Sequence, residues 1–219
     1  MGLYGENNMR TFVRHEAGQH RTLQFIPNVW LFRQLCVPSQ RQTNKIMKLE
    51  LATQNNYDAI IAFYDDVTER TPEMAVYARW SKGKHPTVEG IKAYIVEGSM
   101  YLYREDKRII GAMAVTMYQG EDYHAIGWTK QVADVKVAVI HILAVSPDAQ
   151  GKGIGSEMIR EAIRLAQNKG MQAIRLDALA SNTPAHRLYE RLGFEYRGKQ
   201  HLYAENTGWT DFYFFELKQ

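Results

Sequence analysis

Apolar positions recur along this chain at two spacings, and the changes between them mark out strands and helices. Residues 46–52 alternate as Lys-Leu-Glu-Leu, which predicts a strand with one buried face. Over 55–69 the apolar positions Ile60, Ile61, Phe63, Tyr64 and Val67 shift to helical spacing, and Thr71-Pro72 ends that helix. A loop carrying Gly83 and Pro86 leads to a second helix over 88–98, with Thr87 as its cap. Residues 100–104 and 108–117 form a hairpin around Glu105-Asp106-Lys107, and a polar, aromatic loop covers 118–134. The nearly unbroken apolar run 136–145 predicts a central strand. A helix over 154–169 sets Met158, Ala162, Leu165 and Ala166 on one face. Then come a strand at 173–178, a helix at 184–192, and strands at 194–198 and 211–217. The order β-α-α-β-β-β-α-β-α-β-β predicts an α/β domain, a mixed sheet flanked by helices.

Between the central strand and the long helix lies Gln150-Gly151-Lys152-Gly153-Ile154-Gly155. The first N–H groups of a helix have no partner within it, and the helix dipole is positive at that end, so such a turn attracts anions. Glycines at alternate positions let phosphate oxygens approach the backbone, and Lys152 adds a cation at the rim. The turn is not a P-loop, because Gly155 is followed by Ser156-Glu157 rather than by Lys-Ser/Thr. Nor is it the dinucleotide fingerprint, because Ser156 stands where that motif needs its third glycine. The pattern present is Gln-x-x-Gly-x-Gly, which resembles the pyrophosphate loop of the GNAT superfamily of acyl-CoA-dependent N-acyltransferases. Taken alone, six residues describe a glycine-rich helix cap equally well.

The downstream residues favour the resemblance. A strand at 173–178 is followed by Ser181-Asn182-Thr183-Pro184-Ala185, then by Leu188-Tyr189-Glu190-Arg191-Leu192-Gly193-Phe194. This is similar to the second half of the GNAT domain in both order and spacing: Asn-x-x-Ala, a short helix bearing Leu-Tyr, and Gly-Phe before another strand. The resemblance spans about residues 47–217 and is dense between 137 and 198. It implies the GNAT fold, in which two central strands splay apart past a bulge, expected here near Ser146-Pro147.

It also implies acetyl-CoA as cosubstrate. The backbone of Gly151, Lys152, Gly153, Ile154, Gly155 and Ser156 would hold the pyrophosphate, with the side chains of Gln150 and Lys152 assisting. The backbone of Leu143, Ala144 and Val145 would pair with the pantetheine arm like an added strand, while their side chains serve the core. Asn182 matches the family asparagine near the cofactor arm, although Thr183-Pro184 reads equally as the cap and first residue of a helix.

Tyr189 occupies the position of the family's general acid; its alternative is a packing tyrosine beside Leu188 and Leu192. His141 interrupts the apolar strand and is the leading general base, with Glu97, Asp122 and Asp177 as other candidates. Period-two alternation puts His141 on one face with Val139, Leu143 and Val145, and a hydrogen-bonded core histidine is the plain alternative. Tyr123, Trp128 and Phe212 are the aromatic candidates for the amine acceptor, on the principle that a cation favours an aromatic face. The same aromatics would suit a homodimer surface.

Composition narrows the remaining classes. A net charge of +3 divides unevenly, with +4 on residues 1–46 and −1 on the rest, so the main domain lacks the basic footprint of a nucleic-acid binder. The one cysteine, Cys36, excludes an intramolecular disulfide or a multi-cysteine metal site, and no metal is implied. No apolar run is long enough to span a bilayer, and no secretory signal opens the chain, so cytoplasm is the expected compartment. The division expected is a non-catalytic extension at 1–46 and an N-acetyltransferase domain at 47–219. The activity expected is direct acetyl transfer to a primary amine in a ternary complex. The alternatives are an acyl-CoA-binding sensor without catalysis, and an assembly protein docking through its basic arm.

Overall fold

A computed structural model describes residues 48–218, and the predicted extension at 1–46 lies outside them. The elements are β1 (Glu50–Leu51), α1 (Tyr57–Arg70), α2 (Met74–Tyr77), α3 (Val88–Glu97), β2 (Met100–Glu105), β3 (Arg108–Thr116), β4 (Val137–Val145), α4 (Ile154–Asn168), β5 (Ala173–Leu179), α5 (Thr183–Arg191), β6 (Phe194–Ala204) and β7 (Gly208–Leu217). They build one seven-stranded sheet in the order β1-β2-β3-β4-β5-β7-β6, with β4–β5 parallel and every other neighbour antiparallel.

Alternation along the strands feeds two cores. Met100 and Leu102 of β2 face Ile60, Phe63 and Tyr64 of α1 and Ile91 and Ile95 of α3. Tyr101 and Tyr103 face the other way, toward Ile154, Met158, Ile159 and Ala162 of α4. Close packing shows at Gly111 of β3, where a Cβ would lie 2.4 Å from Met158 Sδ. A third cluster joins Val137 and Val139 of β4 to Phe214 of β7 and to Tyr123 and Trp128 of the long loop. Among the described residues no helix is long and apolar enough to cross a membrane.

Three boundaries differ from the sequence reading. Of the strand expected at 46–52 the described part, 48–52, holds two strand residues, α2 appears inside the predicted loop, and the last hairpin is longer than the predicted 194–198 and 211–217. β6 is an edge strand with few buried positions, so its outer half shows no apolar alternation to detect.

The bulge also lies elsewhere than the expected Ser146-Pro147, since those residues enter a short 3-10 turn, Pro147–Ala149. The register instead slips within β4, because Ala112 pairs with Ala144 while Ala114 pairs with His141, leaving an extra residue on β4. Ile142 absorbs it at φ +44°, a strained conformation for a β-branched residue, and its carbonyl accepts the Tyr64 hydroxyl at 2.9 Å. The extra residue reverses the facing of the rest of the strand. Ala138 and Ile140, then Leu143 and Val145, pack on the α4 side, whereas Ile142 and Ala144 pack on the α1–α3 side. His141 therefore does not share a face with Leu143 and Val145; simple alternation fails at the bulge.

The parallel ladder between β4 and β5 runs from Val137↔Ala173 to Ile140↔Leu176 and stops there. Beyond it β4 keeps β3 as neighbour and β5 keeps β7, so the sheet opens at its centre.

Candidate functional site

The chain leaves β4 through the Pro147–Ala149 turn and enters α4 through two glycines in the left-handed region, Gly151 at φ +74° and Gly153 at φ +80°. Gly153 is the N-cap, and it brings no side chain to bond the first turn. The first helical bond runs from Glu157 N–H to the Gly153 carbonyl. Among the described residues, none of the amides of 151–156 has a hydrogen-bond partner. Six consecutive free donors at a helix N-terminus are an anion cradle. Gly155 leaves space as well, since a Cβ there would sit 3.6 Å from Val145 and 3.7 Å from Leu188.

The flanking side chains brace this loop. Gln150 Nε2 donates to the Val145 carbonyl at 3.1 Å and to Thr71 Oγ1 at 3.3 Å, and Lys152 Nζ donates to the Asp148 carbonyl at 2.9 Å. Both side chains expected to assist phosphate are thus turned onto protein groups. Asp148 is clamped by the guanidinium groups of Arg70 and Arg108, whose hydrogen bonds hold its carboxyl well below the usual range.

The opened edge of β4 supplies backbone groups next to the cradle. Ser146 N–H bonds the Ile110 carbonyl, so antiparallel alternation turns the Ala144 backbone toward Ala112 and that of Val145 outward. Val145 thus offers its N–H to the gap while its carbonyl is taken by Gln150, Leu143 lines the gap, and Ala144, expected to do the same, is committed to the β3 ladder.

In the gap lies a cleft of about 260 Å³. It brings together Tyr189, His141, Leu143, Asn182 and Phe212 from the sequence-derived set, together with Asp177 of β5, one of the other base candidates. Tyr123 and Trp128 do not line it. Both are buried in the third core cluster, because the indole donates to the Tyr123 carbonyl at 2.7 Å and folds the loop inward. Tyr123 instead acts from behind, its hydroxyl donating to Asp177 Oδ1 at 2.5 Å. Burial raises the pKa of Asp177, opposed by that hydrogen bond.

Tyr189 projects from α5, packed edge-on against Phe215 with ring centres 5.6 Å apart. Its hydroxyl has no hydrogen-bond partner among the described residues, and burial together with the charge of Asp177 raises its pKa. Asn182 is the N-cap of α5, accepting from Ala185 N–H at 3.3 Å, so the cap falls one residue before the Thr183 of the structural reading.

The His141 ring stacks on Tyr94 of α3, with centres 5.7 Å apart. Its Nε2 lies 3.2 Å from Thr116 Oγ1, whose own hydrogen goes to the Tyr118 carbonyl. Nε2 is therefore the donor, and Nδ1 carries the lone pair. Burial lowers the His141 pKa to about 4, opposed by the charge of Glu97. Because the folded pKa is depressed, the associated stability is present above the unfolded pKa of ~6.5 and is lost as pH falls toward 4. Between pH 7 and pH 4 the stability of wild type relative to His141→Gln falls by about 3 kcal/mol. Denaturant titrations at the two pH values check this, and a constant difference would show a histidine that is protonated while folded.

The remaining walls come from residues to which the sequence gave no signal. Trp80 and His85 sit in the loop before α3 and Tyr94 on α3 itself, while Ala204, Asn206 and Thr207 come from the last hairpin. The one cue is a tryptophan and a histidine close together in a polar loop, and that cue is weak.

Known proteins share this architecture. The family model described as the acetyltransferase (GNAT) family matches residues 60–194. A mycothiol acetyltransferase of Arthrobacter sp. aligns at 36% identity over 72 residues, 33% of this chain and 22% of that protein. An uncharacterised N-acetyltransferase of Methanocaldococcus jannaschii aligns at 38% over 68 residues, 31% of this chain and 30% of that one. The chain thus spans under a third of the length of either relative. The crystal structure of a GNAT-family acetyltransferase from Streptococcus agalactiae superposes with a TM-score of 0.63, at 20% identity, over 79% of this chain and 96% of that one, a likeness of fold.

Proposed function

Because the chain belongs to the GNAT acetyltransferase family, we propose that it moves an acetyl group from acetyl-CoA to a primary amine, by direct attack with both substrates bound. The observation that carries this reading is the row of free amides at 151–156 beside the open edge of β4, with Tyr189 in the cleft between them. The amides suit a pyrophosphate, the outward N–H of Val145 and the Leu143 backbone at the gap suit the amides of a pantetheine arm, and the strand gap gives that arm a path.

The thioester supplies an acyl carbon joined to a good leaving group. The amine nitrogen bonds to that carbon, the C–S bond breaks, and the sulfur takes the Tyr189 proton. Before that attack Asp177 takes one proton from the bound ammonium and frees the nitrogen lone pair. The second N–H proton, shed as the amide forms, and the Asp177 proton both leave to solvent, and Tyr189 is reprotonated from solvent after the thiol departs. We assign the base to Asp177 rather than to His141. Burial has made His141 a weak base and committed its Nε2 to Thr116, whereas it has made Asp177 a stronger one. The acyl-CoA sensor without catalysis has less support, since pure binding has no use for an unpaired phenol at the strand gap.

Calorimetric titration of the full chain with acetyl-CoA and with CoA tests the reading. Wild type binds both. Gly153→Glu binds about 10²-fold more weakly, because a side chain at φ +80° is strained and its carboxylate opposes the pyrophosphate. Absence of binding by wild type would return the glycine turn to a plain helix cap.

A further inference from the structure

The acceptor end of the cleft is uncommonly sparse in charge. Among its lining residues there is one carboxylate, Asp177, and no lysine or arginine. Its two histidines, His85 and His141, are held neutral, since burial lowers the pKa of each. The walls are aromatic: Trp80 stands edge-on to His85 at 5.9 Å, Tyr94 stacks on His141, and Phe212 lies across from them on β7.

This end is also roofed. Arg79, itself at φ +52°, donates from Nη1 to the Thr207 carbonyl at 2.7 Å, which ties the turn of the last hairpin to the segment after α2. Ser181 Oγ donates to the Tyr77 carbonyl at 3.1 Å on the same side. A polypeptide running across the cleft would have to break both ties. The whole space is about 260 Å³, part of which the thioester end must fill.

Resting on the acetyltransferase reading, we infer that the acceptor is a compact monoamine with an apolar or aromatic body and no carboxylate or phosphate. Its ammonium sits on Asp177, and its body lies against Trp80, Tyr94 and Phe212. The chemistry explains the selection. A cation on an aromatic face beside a carboxylate is attracted by both. An amino acid would bring a second carboxylate beside Asp177 in a cleft lined by no lysine or arginine, where burial and like-charge repulsion both oppose it. A polyamine would bury further ammonium groups for which the lining offers no second carboxylate.

The test uses the full chain saturated with acetyl-CoA and tracks release of free thiol with 2-phenylethylamine, phenylalanine, spermidine and a tripeptide with a free N-terminus. The kcat/KM for 2-phenylethylamine exceeds that for each of the others by roughly 10²-fold. Trp80→Ala raises its KM about tenfold while leaving acetyl-CoA affinity intact. Phe212→Leu does so to a smaller degree, which covers the case of a Trp80 variant that fails to fold. Faster turnover of phenylalanine, spermidine or the tripeptide overturns the inference. So does protein that binds acetyl-CoA yet acetylates none of the four, and in that case the acyl-CoA reading survives. Protein that does not bind acetyl-CoA overturns both.

Discussion

Replacing Tyr189 with Phe lowers kcat for amine acetylation by roughly 10²–10⁴-fold while leaving acetyl-CoA affinity nearly unchanged. The substitution keeps the ring that packs on Phe194 and Phe215 and removes only the hydroxyl. A tyrosine present for packing would barely register the change, so the variant separates the two readings of this residue. Burial raises the phenol above its ordinary pKa of ~10, which keeps it fully protonated at neutral pH. A raised pKa would make it a poor donor to a thiolate in water. The departing sulfur, however, is born in the same desolvated cleft, so its own basicity rises too and the match is preserved. A donor whose leaving group needs no proton, such as 4-nitrophenyl acetate, gives a second reading: the Tyr189→Phe defect shrinks sharply with it. A kcat within a few-fold of wild type for acetyl-CoA would remove Tyr189 from the chemistry and leave the thiolate to solvent.

Parts of this site are legible in the sequence and parts are not, according to the range of the contacts that make each one. The 151–156 cradle can be read because it is local: glycines and a helix start lie within six residues, and its donors belong to the backbone. Tyr189 and Asn182 can be read for a related reason, since the family resemblance matches both to one short helix, and the structure puts both at the cleft. The bulge cannot be placed, because it depends on a register between β3 and β4 that forms from residues about thirty positions apart. Ile142 carries no sign of its φ of +44°; a β-branched residue is the last choice for that conformation, and the Tyr64 hydroxyl on its carbonyl holds it there from α1. The face of His141 is lost with the bulge. The acceptor wall is hidden for a different reason. Aromatics in the 118–134 loop and in the 74–86 segment look alike in sequence. Only the buried partner of Trp128 decides that Trp128 packs in the third cluster away from the cleft, while Trp80, equally buried in the α1–α3 core, borders it.

That partner is Arg175, and Arg175→Ala destabilises the fold by about 3–5 kcal/mol. Arg175 is 1% exposed on β5 and forms an ion pair with Glu216 of β7 at 2.9 Å. Its guanidinium carbon lies 4.0 Å from the Trp128 ring centre. Nη1 donates to Gln119 Oε1 at 2.5 Å and Nη2 to the Lys130 carbonyl at 2.6 Å, so one side chain pins the long loop at both ends. Burial lowers its pKa and Glu216 opposes that shift. Removing the guanidinium strands the Glu216 carboxylate beneath the loop and leaves Gln119 and the Lys130 carbonyl without their donor. Arg197 Nε keeps a longer ion pair with Glu216 Oε2 at 3.6 Å, which offsets only part of that loss. Arg175→Lys recovers little, because one ammonium cannot span Glu216, Gln119 and the Lys130 carbonyl together. The double variant Arg175→Met, Glu216→Leu recovers part of the loss, because the buried pair is removed as a unit, although Arg197 Nε and Thr129 N–H then lose the carboxylate they face at 3.6 Å and 3.0 Å. Denaturant unfolding of wild type and the three variants measures these losses, and a loss below about 1 kcal/mol for Arg175→Ala would mean that water reaches Glu216. The same loop carries Tyr123, whose hydroxyl holds Asp177 at the cleft. Folded Arg175→Ala protein therefore shows a higher KM for the amine with an unchanged acetyl-CoA affinity, linking a buried ion pair to the base two residues along the same face of β5.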